Sequence, residues 1–168
     1  MSRYPEVSEA IEDIVNETIV IDEEGNIVEL NLDDLKVSEG LKKKIIDAFE
    51  EILTKLEFST IGHEIFKNWY IDGKVLYQII LDEKDIKKGI YELRYIDPRK
   101  VKKIKNVKKE MVNGGVEIVK EVEEYYLYND KGISYTSSSG VRLSKDSVVY
   151  CHSGIVDGNN GMVQSYLH

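Results

Sequence analysis

The chain has 168 residues, 42% hydrophobic and 32% charged, so roughly two thirds of its unfolded surface can be buried, enough for one compact domain or two small lobes without staples. Its single cysteine, Cys151, excludes an internal disulfide, and with no run of about 18 apolar residues and no charged-then-apolar leader the reading is a reducing, soluble compartment with no membrane-spanning segment. The formal net charge of -8 is unevenly spread, because eleven acidic side chains lie between residues 6 and 34 while Arg3 is the only basic residue before Lys36, an asymmetry that suggests contacts at surfaces.

Val7, Ala10, Ile11, Ile14 and Val15 recur at helical steps just after Pro5, which predicts a short amphipathic helix with its acidic residues in water. Asn16-Glu17-Thr18 matches the glycosylation sequon, but without a route to secretion the match is read as chance. Over residues 19–32, two short apolar runs flank Asp22-Glu23-Glu24-Gly25-Asn26, and a small hairpin is expected. Ser38 offers an N-cap for a four-turn helix whose stripe is Leu41, Ile45, Ile46, Phe49, Ile52, Leu53 and Leu56. Ser59 or Thr60 is expected to cap a further helix, with Ile61, Ile65, Phe66, Trp69 and Tyr70 on its apolar face, Trp69 in the core, and Asp72-Gly73 as the stop.

From Lys74 the period changes to alternation: residues 75–81, 90–96, 101–107, 116–128 and 147–151 are rich in Val, Ile and Tyr and read as strands. Asn113-Gly114 and residues 129–132 are tight-turn signals, and residues 137–140 read as an exposed loop. Helices first and strands second imply an α+β fold with a mostly antiparallel sheet. The expected organisation is an acidic helical part over 1–73, a β part over 74–160 and the start of a helix over 161–168.

Several patterns invite chemistry and fail on their spacing. His63-Glu64-Ile65-Phe66-Lys67 begins like a zinc-protease helix, but a cation sits where the second imidazole must be. Asp157-Gly158-Asn159-Asn160-Gly161 resembles half of a calcium loop, yet the twelfth position, which should carry a bidentate glutamate, is His168. His152, Ser153 and Asp157 lie on one strand end and its loop, an unsuitable geometry for a nucleophilic triad, although a metal-dependent hydrolase centred on His152 and Asp157 is an alternative reading. Glycines 154, 158 and 161 lack the lysine and hydroxyl residue of a phosphate-binding loop. No catalytic, metal-binding or cofactor-binding residue is assigned, and the chain is read as not an enzyme.

The remaining candidate is the basic stretch Arg99, Lys100, Lys102, Lys103, Lys105, Lys108 and Lys109. Cationic strands near Tyr91, Tyr95, Tyr125 and Tyr126 suit a phosphate backbone and stacked bases, so a nucleic-acid-binding module is one reading. The alternation Val101, Ile104, Val107 instead fits a strand with one face in the core and lysines in water, where they discourage edge pairing. A protein partner with an acidic face is the third alternative.

Four ordered segments carry a family resemblance: residues 62–73 (Gly-His-Glu-Ile-Phe-Lys-Asn-Trp-Tyr-Ile-Asp-Gly), 77–81 (Tyr-Gln-Ile-Ile-Leu), 92–100 (Glu-Leu-Arg-Tyr-Ile-Asp-Pro-Arg-Lys) and 125–129 (Tyr-Tyr-Leu-Tyr-Asn). With Arg3-Tyr4-Pro5-Glu6-Val7 at one end and Val148-Val149-Tyr150-Cys151-His152-Ser153-Gly154 and residues 162–168 at the other, the sequence resembles the portal vertex protein of contractile-tailed bacteriophages over nearly its whole length. The resemblance implies a structural subunit of a dodecameric ring at one capsid vertex, through which DNA is packaged and ejected and onto which the tail joins. It implies no cofactor and no catalytic site, the ATP chemistry belonging to the terminase that docks on the ring. The family's channel-lining helices, terminase-binding clip and crown are expected after His168, so the chain corresponds to part of the peripheral wing. Its expected neighbours are other portal subunits and capsid, scaffold and tail-neck proteins, in the host cytoplasm during assembly and then at the virion capsid vertex.

Overall fold

The computed structural model describes residues 4–23, 25–112, 116–133, 139–158 and 162–167. Three helices come first and two antiparallel three-stranded sheets follow, an α+β fold. The chain divides into two compact units, Met1–Lys74 with His152–His168, and Val75–Cys151.

In the first unit, α1 (Pro5–Thr18) starts with proline at its first turn, where the missing N–H costs nothing. It buries Ile11 and Val15 and leaves Ala10 and Ile14 outside, so the working stripe is narrower than the sequence pattern. Residues 19–32, read from sequence as a hairpin, form no strand among those described. The chain turns instead on Asp22, whose carboxylate accepts from Asn26 N at 2.7 Å and whose N–H donates to the Asn26 carbonyl. Val20 and Ile21 on the first limb stay exposed, so that limb has no covered face to alternate against.

Ser38 holds the N-cap place of α2 (Glu39–Lys55) with extended backbone, but its carbonyl rather than its hydroxyl meets the helix N–H groups. No residue of α2 is fully buried. The third helix, α3 (Phe58–Asp72), begins one or two residues before the expected cap, because Glu57 takes a left-handed conformation (φ 50°) that reverses the chain directly out of α2. Gly73 ends α3 in the left-handed region as anticipated, its N–H returning to the Trp69 carbonyl at 2.8 Å. Trp69 is half-buried against Phe66 and Tyr166, and Tyr166 stacks on Tyr70 with ring centroids 5.1 Å apart. Residues 162–167, expected to open a helix, instead form a bridge, Val156 to Val163, and a turn that lays Tyr166 on α3.

The second unit is two sheets sharing a core. β1 (Lys74–Leu81) lies between β2 (Ile90–Ile96) and β6 (Val148–His152), and β4 (Val116–Tyr128) lies between β3 (Val101–Val112) and β5 (Val141–Ser144). Leu76, Ile96 and Val148 from the first sheet meet Val101 and Tyr126 from the second, with Tyr128, Leu143 and Tyr150 packed around them. Each fully buried aliphatic side chain contributes roughly 1.5–3 kcal/mol. β3 and β4 pair antiparallel from Val101–Tyr128 to Val112–Val116, with one irregularity at Lys108/Lys109. β5 pairs only with residues 125–128 of β4. The turn expected at Asn113-Gly114 and the first half of the loop expected over 137–140 lie outside the described residues.

Candidate functional site

The period of two that makes β3 a strand also sends its lysines to both faces, and pairing with β4 brings an acidic strand alongside them. Lys108 Nζ lies 2.7 Å from Glu121 and Lys109 Nζ 2.6 Å from Glu117. Lys103 and Lys105 share Glu124, at 3.5 and 3.7 Å, with Lys145 of the turn after β5 nearer still at 3.1 Å. At the base of the hairpin, Arg99 makes a fork to Asp97 and Lys100 reaches Asp130 at 2.8 Å. Lys102, half-buried on β3, also has an interacting partner. The structure therefore brings all seven basic residues to one hairpin and its root, and gives six of them a named carboxylate.

The titration behaviour follows these pairings. The Lys145 ammonium, then Lys103, holds the Glu124 carboxyl below the usual range. The Arg142 guanidinium does the same for Glu123, to which it is ion-paired, while its carbon lies 3.9 Å over the Tyr125 ring. Hydrogen bonding to Arg99 lowers Asp97, and the Lys100–Asp130 pair raises the lysine and lowers the aspartate. Lysines held this way have their charge answered within the chain, and a phosphate backbone would have to displace those carboxylates.

Of the four tyrosines read beside the basic stretch, only Tyr125 and Tyr126 lie next to it, paired across the hairpin with Ile104 and Lys103. Tyr126 is buried in the core, which raises its phenol above the usual value, and Tyr125 lies under Arg142. Tyr91 and Tyr95 belong to β2 in the other sheet, where Tyr95 meets Tyr77 edge-on at 5.8 Å.

The other candidates also have definite places. Lys67, in the position of the second zinc ligand, pairs with Glu12 and ties α3 to α1. Ser153 Oγ donates to the Gln164 carbonyl at 2.7 Å and accepts from Ile155 N, while His152 Nδ1 accepts from Gly154 N, so hydroxyl and imidazole face their own backbone rather than each other. Asp157 N donates to the Met162 carbonyl at 2.9 Å, and residues 159–161 lie outside the described part. Among the described residues no group of three or more His, Cys, Asp or Glu side chains converges as a metal site would require, and no helix is long and apolar enough to cross a membrane.

Two features were not anticipated. β5 is four residues with one half-buried leucine, too short for alternation to show. The junction of Gly73, Ser153 and Gln164, where Ser153 N donates to the Gly73 carbonyl at 2.7 Å, joins segments some 80 residues apart by backbone contacts that side-chain patterns do not encode.

The family described as "Bacteriophage T4-like portal protein (Gp20)" matches residues 1–168. The portal protein of Vibrio phage KVP40 is 34% identical over 166 residues, covering 94% of this chain. The portal protein of Salmonella phage ViI is 29% identical over 182 aligned positions, covering all of it. The chain spans 32% of the length of each of these relatives. With a family-model match over its whole length and a relative 34% identical over 94% of it, the chain belongs to the T4-like bacteriophage portal protein family.

Proposed function

We propose that this chain is a structural segment of a phage portal, the ring at the head vertex through which DNA is packaged and ejected and onto which the tail joins. The observation that carries the reading is the family match over residues 1–168. On this reading the chain does no chemistry of its own. It works in a dodecameric ring beside other portal subunits and meets capsid, scaffold and tail-neck proteins. The basic stretch Arg99 to Lys109 serves protein contact rather than DNA contact, supported by the carboxylates already facing its lysines.

The test is electron microscopy and native mass spectrometry of the full-length gene product that carries this chain. Rings of uniform subunit number are expected, with 12 as the count implied by the resemblance to portals. A protein that stays monomeric across protein concentration and ionic strength removes the portal reading.

A further inference from the structure

We propose that the outer edge of β4 over residues 116–124 takes the β3 edge of a second copy of this chain, joining hairpins head to tail into one antiparallel sheet. The inference rests on the portal reading above and names the surface through which copies meet.

The first observation is an incomplete sheet. β5 covers β4 only at residues 125–128 and then turns away after Ser144, whereas β4 runs on to Val116. Among the described residues, roughly 30 Å of β4 edge is thereby left without a strand on that side. Among the described residues β3 likewise has β4 as its one strand neighbour. Each edge carries a row of backbone donors and acceptors suited to another strand. Where β5 leaves, an open cleft of about 540 Å³ is lined by Val122, Glu123, Glu124, Ser144, Lys145 and Asp146, so there is room for a chain to continue the line of β5.

The second observation selects the occupant. β3 carries Lys102, Lys103, Lys105, Lys108 and Lys109 against Glu110, and β4 carries Glu117, Glu121, Glu123 and Glu124 against Lys120. Two β3 edges brought together oppose lysine to lysine, and two β4 edges oppose glutamate to glutamate, both destabilising. Only β4 against β3 of the next copy repeats the attraction already present inside the hairpin. The charge pattern therefore disfavours a two-fold contact and favours a heterologous one, which closes into a ring when its rotation allows. An axis running along the hairpins keeps every β3 pointing the same way, so β4 of one copy and β3 of its neighbour are antiparallel, as within one hairpin. Closure removes the exposed edges altogether. Val107, Val119 and Val122, on one face of the hairpin and 41%, 53% and 49% exposed, then continue from copy to copy as an apolar band.

The decisive variant of the full-length protein combines Lys108→Glu, Lys109→Glu, Glu117→Lys and Glu121→Lys. It reverses the Lys108–Glu121 and Lys109–Glu117 ion pairs as units, so those two pairs persist within the hairpin. Wild type and variant, tagged differently and co-expressed, should each form rings with their own kind, and mixed rings should fall roughly tenfold below random assortment because every mixed edge opposes like charges. Random mixing overturns the proposal. Hydrogen exchange on wild type gives a second reading that needs no variant. Amides of residues 116–124 and of β3 should gain protection on assembly; rings whose hairpin amides exchange as in the free subunit refute the edge contact and leave the portal reading standing, while failure to form rings removes both.

Discussion

Gly73 leaves α3 with φ +70°, and a Cβ at that position would lie 2.4 Å from the Gln164 carbonyl oxygen. The left-handed backbone and the close approach act together, so no rotamer change relieves a side chain there. Gly73→Ala should destabilise the protein by roughly 2–4 kcal/mol in urea unfolding. A loss below about 0.5 kcal/mol would show that residues 164–165 do not pack on this turn. The need for glycine was legible in sequence as a helix stop, but only the fold shows that backbone from residue 164 fills the missing side chain's space. Trp69 gives a similar lesson. Its place in the helical stripe was clear, yet its enclosed indole N–H has no acceptor among the described residues, and that depends on which segments close around it.

On the scale of elements, the β3–β4 hairpin joins a basic strand to an acidic one, and Glu124 is its most connected carboxylate. It stands within 4 Å of Lys103, Lys105 and Lys145, and Lys145, then Lys103, hold its folded-state pKa below the ordinary glutamate value. A depressed carboxylate contributes stability that is present above the unfolded pKa and is lost as pH falls through the folded pKa. Glu124→Gln should therefore lower stability at pH 7 and flatten the decline between neutral pH and the acid limb, measured by chemical unfolding at a series of pH values. An unchanged acid profile would mean that the lysines are not engaged in solution. That both segments are strands was legible from alternation, and the basic character of the first from its run of lysines. The register was not, because a slip of two residues keeps every side chain on its own face while exchanging which lysine meets which glutamate.

Taken as a whole, the molecule concentrates its burial in few places: Ile11 and Val15 in the helical unit, and in the sheet unit a core centred on Leu76, Ile96, Val101, Tyr126 and Val148. Leu76→Ala should cost about 2–4 kcal/mol, and Leu41→Ala on α2, 46% exposed, less than about 1 kcal/mol, although both are leucines on periodic stripes. Equal losses in thermal or urea unfolding would show that α2 is covered in solution. Sequence by itself determined the order of helices then strands, the stop at Gly73, the basic stretch, and the family, because these depend on local periodicity and on ordered motifs along the chain. Tertiary structure alone decided that residues 19–32 turn without strands, that residues 162–167 lie on α3 rather than starting a helix, that β5 covers only the root of β4, and that the lysines face carboxylates. Each of those outcomes turns on what a segment far away in the chain leaves exposed or covered, and short-range patterns carry no record of it.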